Sequence, residues 1–148
     1  MKATQIPPHA GTVTPADLLR MAALYLRRHG WHQGAYYADP DHLTPPACAA
    51  GAIGMASTGH QVDNFLQLDQ LDDDQHADTL ATLAAFVDYL DTHEPVFYVD
   101  EDGFLVDEHG WPFSWNDDPA RTAEQVVTAL EAAADEWDSL HTTGGENR

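Results

Sequence analysis

The chain has 148 residues, 43% hydrophobic and 9% aromatic, which is enough for one folded domain with a buried core. Its 25 carboxylates against six Lys and Arg give a formal charge of −19. That excess excludes bare DNA, RNA and anionic membranes as direct partners, because phosphate would be repelled rather than neutralised.

The charge is uneven. Residues 1–38 carry Lys2, Arg20, Arg27 and Arg28 against Asp17 alone, whereas residues 39–148 carry Arg121 and Arg148 against 24 carboxylates. A basic protein or divalent cations are the natural counterparts of such a surface, and excess carboxylate also keeps a chain soluble. Cys48 is the single cysteine, so no intrachain disulfide can form and a reducing compartment is the simplest expectation. The first residues lack an apolar leader, and no apolar run reaches about 18 residues, so the expectation is a soluble, cytoplasmic protein away from membranes.

In chain order, residues 1–13 hold Pro7, Pro8 and Gly11 without periodicity and read as an extended arm. A single globular domain over 14–141 follows. Thr14-Pro15 with Asp17 is a helix start, and Leu18, Leu19, Met21, Ala22, Tyr25 and Leu26 give an apolar stripe. Arg27, Arg28 and His29 suit the negative end of that helix, and Gly30 stops it, so a first helix is predicted over 15–29. Gly30 to Tyr37 reads as a loop or short extended piece.

Thr44-Pro45 repeats the start signal, predicting a second helix over 45–57. Its side chains are nearly all small, so it should lie centrally with neighbours close to its backbone. Gly51 and Gly54 each cost about 1 kcal/mol relative to alanine there, which points to a packing or ligand reason. Residues 58–73 read as one or two helical turns. A third helix over 75–92 is predicted with Ala77, Leu80, Ala81, Ala84 and Val87 facing the core, widened by Leu83, Phe86 and Leu90. Three runs then alternate with Gly-closed acidic turns: Val96 to Val99, Phe104 to Val106 and Trp111 to Trp115. They predict an antiparallel hairpin or meander, with Pro112 confining the third run to an edge.

Asn116 to Pro119 is a turn, after which Thr122 and Gln125 form a capping box for a last helix. Val126, Leu130, Ala133 and Trp137 supply its apolar face as far as about His141, and Trp115 should enter the same core. Residues 142–148 read as a disordered tail. The fold class is therefore mainly α with a small hairpin or meander (α+β): about four helices in one domain.

Chemistry is sparsely signalled. Cys48 at a helix start could be an activated thiolate with a histidine base, the cysteine-dependent enzyme alternative. Its alanine neighbours instead describe a buried thiol acting as a small hydrophobe. His29 and His32 are separated by a helix-breaking glycine, and no His-Glu-x-x-His or second cysteine exists, so no metal site is read. Asp100-x-Asp102-Gly103 copies part of a calcium loop, but Tyr98 and His109 occupy ligand positions. Gly51-Ala52-Ile53-Gly54 lacks the strand and lysine of a phosphate cradle. No cofactor is implied.

Three segments form a pattern: Gly30-Trp31-x-Gln33-Gly34-Ala35, Cys48-x-x-Gly51-Ala52, and Trp115-Asn116-Asp117-x-Pro119-x-Arg121-Thr122-x-x-x-Val126. Over about 14–137 the chain resembles a family of small phage and high-GC bacterial proteins of unknown function. The resemblance implies a shared fold and no reaction. It marks Trp31, Gln33, Cys48, Trp115, Asn116, Asp117 and Arg121 as candidate binding residues. Arg121 is expected to pair with Asp117 or Asp118 and brace the turn. The functional reading is a non-enzymatic accessory protein that binds a macromolecular partner, a basic protein, with nucleic-acid mimicry as its sharper alternative.

Overall fold

The computed structural model describes residues 13–62, 73–94, 97–99, 101–103, 105–107 and 112–146. The first helix, α1 (Pro15–His29), begins as its sequence dictates. Thr14 Oγ1 accepts from Asp17 N at 3.1 Å, while the Asp17 carboxylate accepts from Thr14 N at 3.1 Å. Gly30 ends it at φ 102°, a conformation that side chains disfavour. The long last helix, α5 (Ala123–Glu146), repeats the device: Thr122 and Gln125 exchange bonds of 3.0 and 3.2 Å. It continues to Glu146, past the end near His141 read from the sequence.

These two helices pack most extensively against each other. Leu19, Ala22, Ala23 and Leu26 meet Val126, Val127, Leu130, Ala133 and Ala134 in one buried cluster. The alanines let the two backbones approach, and the branched side chains fill the space between them. Arg20 bridges outward to Asp135 and Asp138, both at 2.8 Å, and Arg27 to Glu131 at 3.3 Å. These pairs are exposed, each contributing about 0–1 kcal/mol. They fix the charge pattern more than the stability.

The second helix, α2 (Ala49–Thr58), is buried along its length from Ala49 to Met55. It starts four residues later than predicted, because residues 46–48 are extended. Ala47 bridges both Trp31 and Tyr37, and Cys48 N donates to Tyr36 O at 2.9 Å. Backbone groups committed to long-range partners cannot close a helical turn. The glycine cost in α2 has a packing cause. A Cβ on Gly51 would lie 2.4 Å from Tyr36 O and 3.0 Å from Tyr37 Cε1.

The third helix, α3 (Asp73–His93), buries Phe86 and Leu90 of the predicted face but otherwise turns a different side inward. Its buried residues are Thr79, Thr82, Phe86 and Leu90. Leu80 is 47% exposed, and Ala77, Ala81 and Ala84 are exposed too. The two threonines tolerate burial because their hydroxyls are satisfied: Thr82 Oγ1 donates to Asp78 O at 2.7 Å, and Thr79 pairs with Ser57 of α2 at 2.7 Å.

The α+β class does not hold. Among the described residues the buried core is drawn from helices and the loops that join them, with no sheet layer in it. The third run of the supposed meander is a short helix, α4 (Pro112–Asn116). What strand structure is described amounts to Phe97–Val99 (β1) opposite Leu105–Asp107 (β2), three residues each. The aromatic alternation around Trp115 mimics the period of a strand. Trp115 is 1% exposed and meets Phe86 edge-on at 5.7 Å, a helix-to-helix contact. Residues 1–12 of the expected arm, residues 63–72 of the expected turns, and Asp100 and His109 of the calcium-loop comparison fall outside the described residues.

Candidate functional site

The seven candidate residues come together where α1 ends, α2 begins and α4 hands over to α5. Asn116 is at the centre, with 0% exposure. Its Oδ1 accepts from Trp31 Nε1 at 2.8 Å and from Ala49 N at 3.0 Å. Its Nδ2 donates to His32 O at 3.1 Å and to Asp117 Oδ1 at 3.0 Å. Both donors and both lone pairs of the amide are therefore used. Ala49 N is the first amide of α2 and has no partner within the helix, so the Asn116 side chain helps cap α2 from a different element.

Around this centre the loop 30–38 is tied down on both sides. Gln33 Nε2 donates to Asn116 O at 3.0 Å and to Asp118 O at 2.9 Å. Gly34 N donates to Asp117 Oδ1 at 3.1 Å. Tyr37 Oη donates to Gly51 O at 3.0 Å and accepts from Val62 N at 3.0 Å. Tyr25 Oη donates to Pro45 O at 2.6 Å.

Arg121 closes the other side. Its Nε donates to Trp115 O at 3.0 Å, and its guanidinium lies 4.2 Å from the Trp115 ring centroid. Its charge is met by Glu94 and Asp118, each at 3.7 Å. Of the two expected carboxylate partners it takes Asp118. Glu94, which no sequence pattern connects to this turn, also accepts from Trp115 Nε1 at 3.0 Å. The motif residues thus satisfy one another and the local backbone, forming a clasp that holds three segments together.

Beside the clasp lies an open cleft of about 370 Å³ lined by Gly34, Ala35, Tyr36, Cys48, Phe113 and Asp117. Cys48 and Asp117 are the candidate residues on its wall. Tyr36 and Phe113 flank it with ring centroids 5.4 Å apart. Cys48 is the N-cap of α2, and its Sγ accepts from Gly51 N at 3.3 Å. A helix start would ordinarily favour a thiolate, but Cys48 is 3% exposed. Burial, aided weakly by Asp117, pushes the thiol up to about 11, and the amide contacts only partly offset it. At neutral pH the sulfur is protonated and a poor nucleophile. Among the described residues no group of three His, Cys, Asp or Glu side chains could hold a metal ion.

No helix among the described residues is long and apolar enough to cross a membrane. No curated protein and no solved structure matches the chain. A model described as a family of unknown function (DUF6197) matches residues 10–136, a span that includes the clasp, the cleft and most of α5; the chain belongs to that family.

Proposed function

We propose that the protein is a non-enzymatic accessory protein that works by capturing a basic protein partner through its acidic surface. The observation that supports this reading is the fate of the cations. Of the four described Lys and Arg residues, Arg20, Arg27 and Arg121 are engaged in internal ion pairs. The remaining surface presents carboxylates, among them Asp73, Asp74, Asp88 and Asp91 along α3 and Glu101 and Asp102 beyond it. A protonated, buried Cys48 weighs against the thiol-enzyme alternative, and a single buried thiol suits a cytoplasmic setting.

The test is a charge-patch comparison. A cationic protein probe is titrated against the native chain, against a variant with Asp88→Asn and Asp91→Asn, and against one with Asp39→Asn and Asp41→Asn. Capture by the α3 surface requires the first variant to bind several-fold more weakly than the second, and binding to the native chain to fall as salt rises from about 50 to 300 mM, where screening shortens. Equal binding by the two variants, or indifference to salt, contradicts the reading. Displacement of the probe's own DNA by the protein would sharpen the reading to nucleic-acid mimicry.

A further inference from the structure

Part of the α3 stripe read from the sequence as core, Ala81 and Ala84, is on the outside, where it borders an open groove of about 410 Å³ between α3 and α5. Ala81, Ala84 and Ala85 of α3 and Ala133 of α5 line it with small apolar groups. Trp137 and Leu140 add larger apolar surface. Leu140 is 73% exposed, and Trp137 is held in place by stacking on His141 with centroids 3.8 Å apart. Asp88 from α3 and Glu136 from α5 also border the groove. Glu136 is hydrogen-bonded to His93 at 2.5 Å, which positions its carboxylate.

The two carboxylates that line this groove, Asp88 and Glu136, have no Lys or Arg beside them in its lining. The sequences of α3 and α5 together carry eleven Asp and Glu and no Lys or Arg. The arginines that α1 directs at α5 pair with Asp135, Asp138 and Glu131, none of which lines this groove. The lining along α3 runs from Ala81 to Asp88, about 10 Å at the helical rise, or two turns of a docked helix. An apolar floor of two-turn length with carboxylates at its edge matches an amphipathic helix whose apolar face enters and whose Lys and Arg flank it.

We infer that the α3/α5 groove is the docking site for a basic amphipathic helix of the partner protein. This rests on the basic-partner reading and gives that partner a shape. Charge alone would accept any cationic chain. The groove adds a requirement for apolar residues spaced on one helical face, and those contacts set the dissociation rate while the carboxylates speed encounter.

The experiment uses two labelled peptides of about 15 residues with the same leucine and lysine content. One is arranged to be amphipathic as a helix; the other is scrambled. Fluorescence anisotropy should show the full-length protein binding the amphipathic isomer at least about tenfold more tightly. Ala84→Arg, at an exposed position in the groove, should abolish that preference. Leu140→Ser should weaken it and serves as the second probe if the arginine disturbs folding, which circular dichroism reports. Equal affinity for the two isomers, with salt-sensitive binding of both, would overturn the groove and leave charge capture standing. Failure of both isomers to bind at low salt would remove the basic-partner reading together with the groove. A dimer in sedimentation that Ala84→Arg dissociates would assign the groove to a second copy of the chain and overturn the proposal.

Discussion

The clasp and the groove are opposites built from the same small domain. At the clasp, the Asn116 side chain is buried and its every hydrogen-bonding position is filled from within the chain. At the groove, apolar side chains are exposed and carboxylates stand beside them. The contrast teaches that a recognisable motif need not mark the surface a protein works with. Trp31, Gln33, Asn116 and Arg121 are chemically the richest residues in the chain, and their hydrogen-bonding groups hold α1, α2 and α5 in place. The plain alanines of α3 leave the more open surface.

That contrast can be broken most forcefully at its buried end. Asn116→Ala strands Trp31 Nε1, Ala49 N and His32 O and leaves a void at a site with 0% exposure. Unpaired buried groups together with a cavity are expected to cost about 3–5 kcal/mol, read as a lower midpoint in urea unfolding. If Asn116→Ala unfolds like the native chain, the clasp is not what joins the three segments.

Gly51→Ala comes next. The added methyl meets a backbone carbonyl rather than a movable side chain, so the loop carrying Tyr36 must shift. A loss of about 2–3 kcal/mol is expected, as for overpacked cores. A variant of native stability would mean that the loop yields freely.

Cys48 supplies a test by pH. Its folded pKa is raised, from 9.0 to about 11. A raised value means that the protonated thiol favours the folded state. The contribution is complete below pH 9 and is lost as pH climbs from about 9 to about 11, on the order of 2 kcal/mol in all. Cys48→Ala should therefore show a shallower alkaline loss of stability than the native chain, and the native thiol should resist iodoacetamide at neutral pH. Rapid alkylation of the folded protein would revive the enzyme alternative.

The smallest effect belongs to the groove. Leu140→Ser and Ala84→Arg alter exposed side chains, and each should change stability by less than about 0.5 kcal/mol. A large loss would show that α3 and α5 depend on this surface for their own packing.

Much of the helical frame was legible in the residues. The two capping boxes, Thr14 with Asp17 and Thr122 with Gln125, are local signals, and the structure forms both. The gathering of the candidate residues was legible only as a pattern; its geometry depends on contacts more than eighty positions apart, such as Trp31 with Asn116. Two elements depart from their apolar pattern for one reason. The aromatic run ending at Trp115 alternates like a strand, yet its tryptophan packs on Phe86 from a helix. Ala77, Leu80, Ala81 and Ala84 of α3 read as core, yet Thr79 and Thr82 join Phe86 and Leu90 there instead, because Ser57 and a backbone carbonyl satisfy the threonine hydroxyls. Periodicity counts apolar groups and cannot see which polar groups will find partners.

Hydrogen exchange with the amphipathic cationic peptide in excess tests the central division most directly. The expected result is slower exchange in residues 80–91 and 132–141, with residues 30–37 and 113–121 unchanged. Protection confined to the clasp and its neighbouring cleft, with the α3 and α5 amides unaffected, would contradict it.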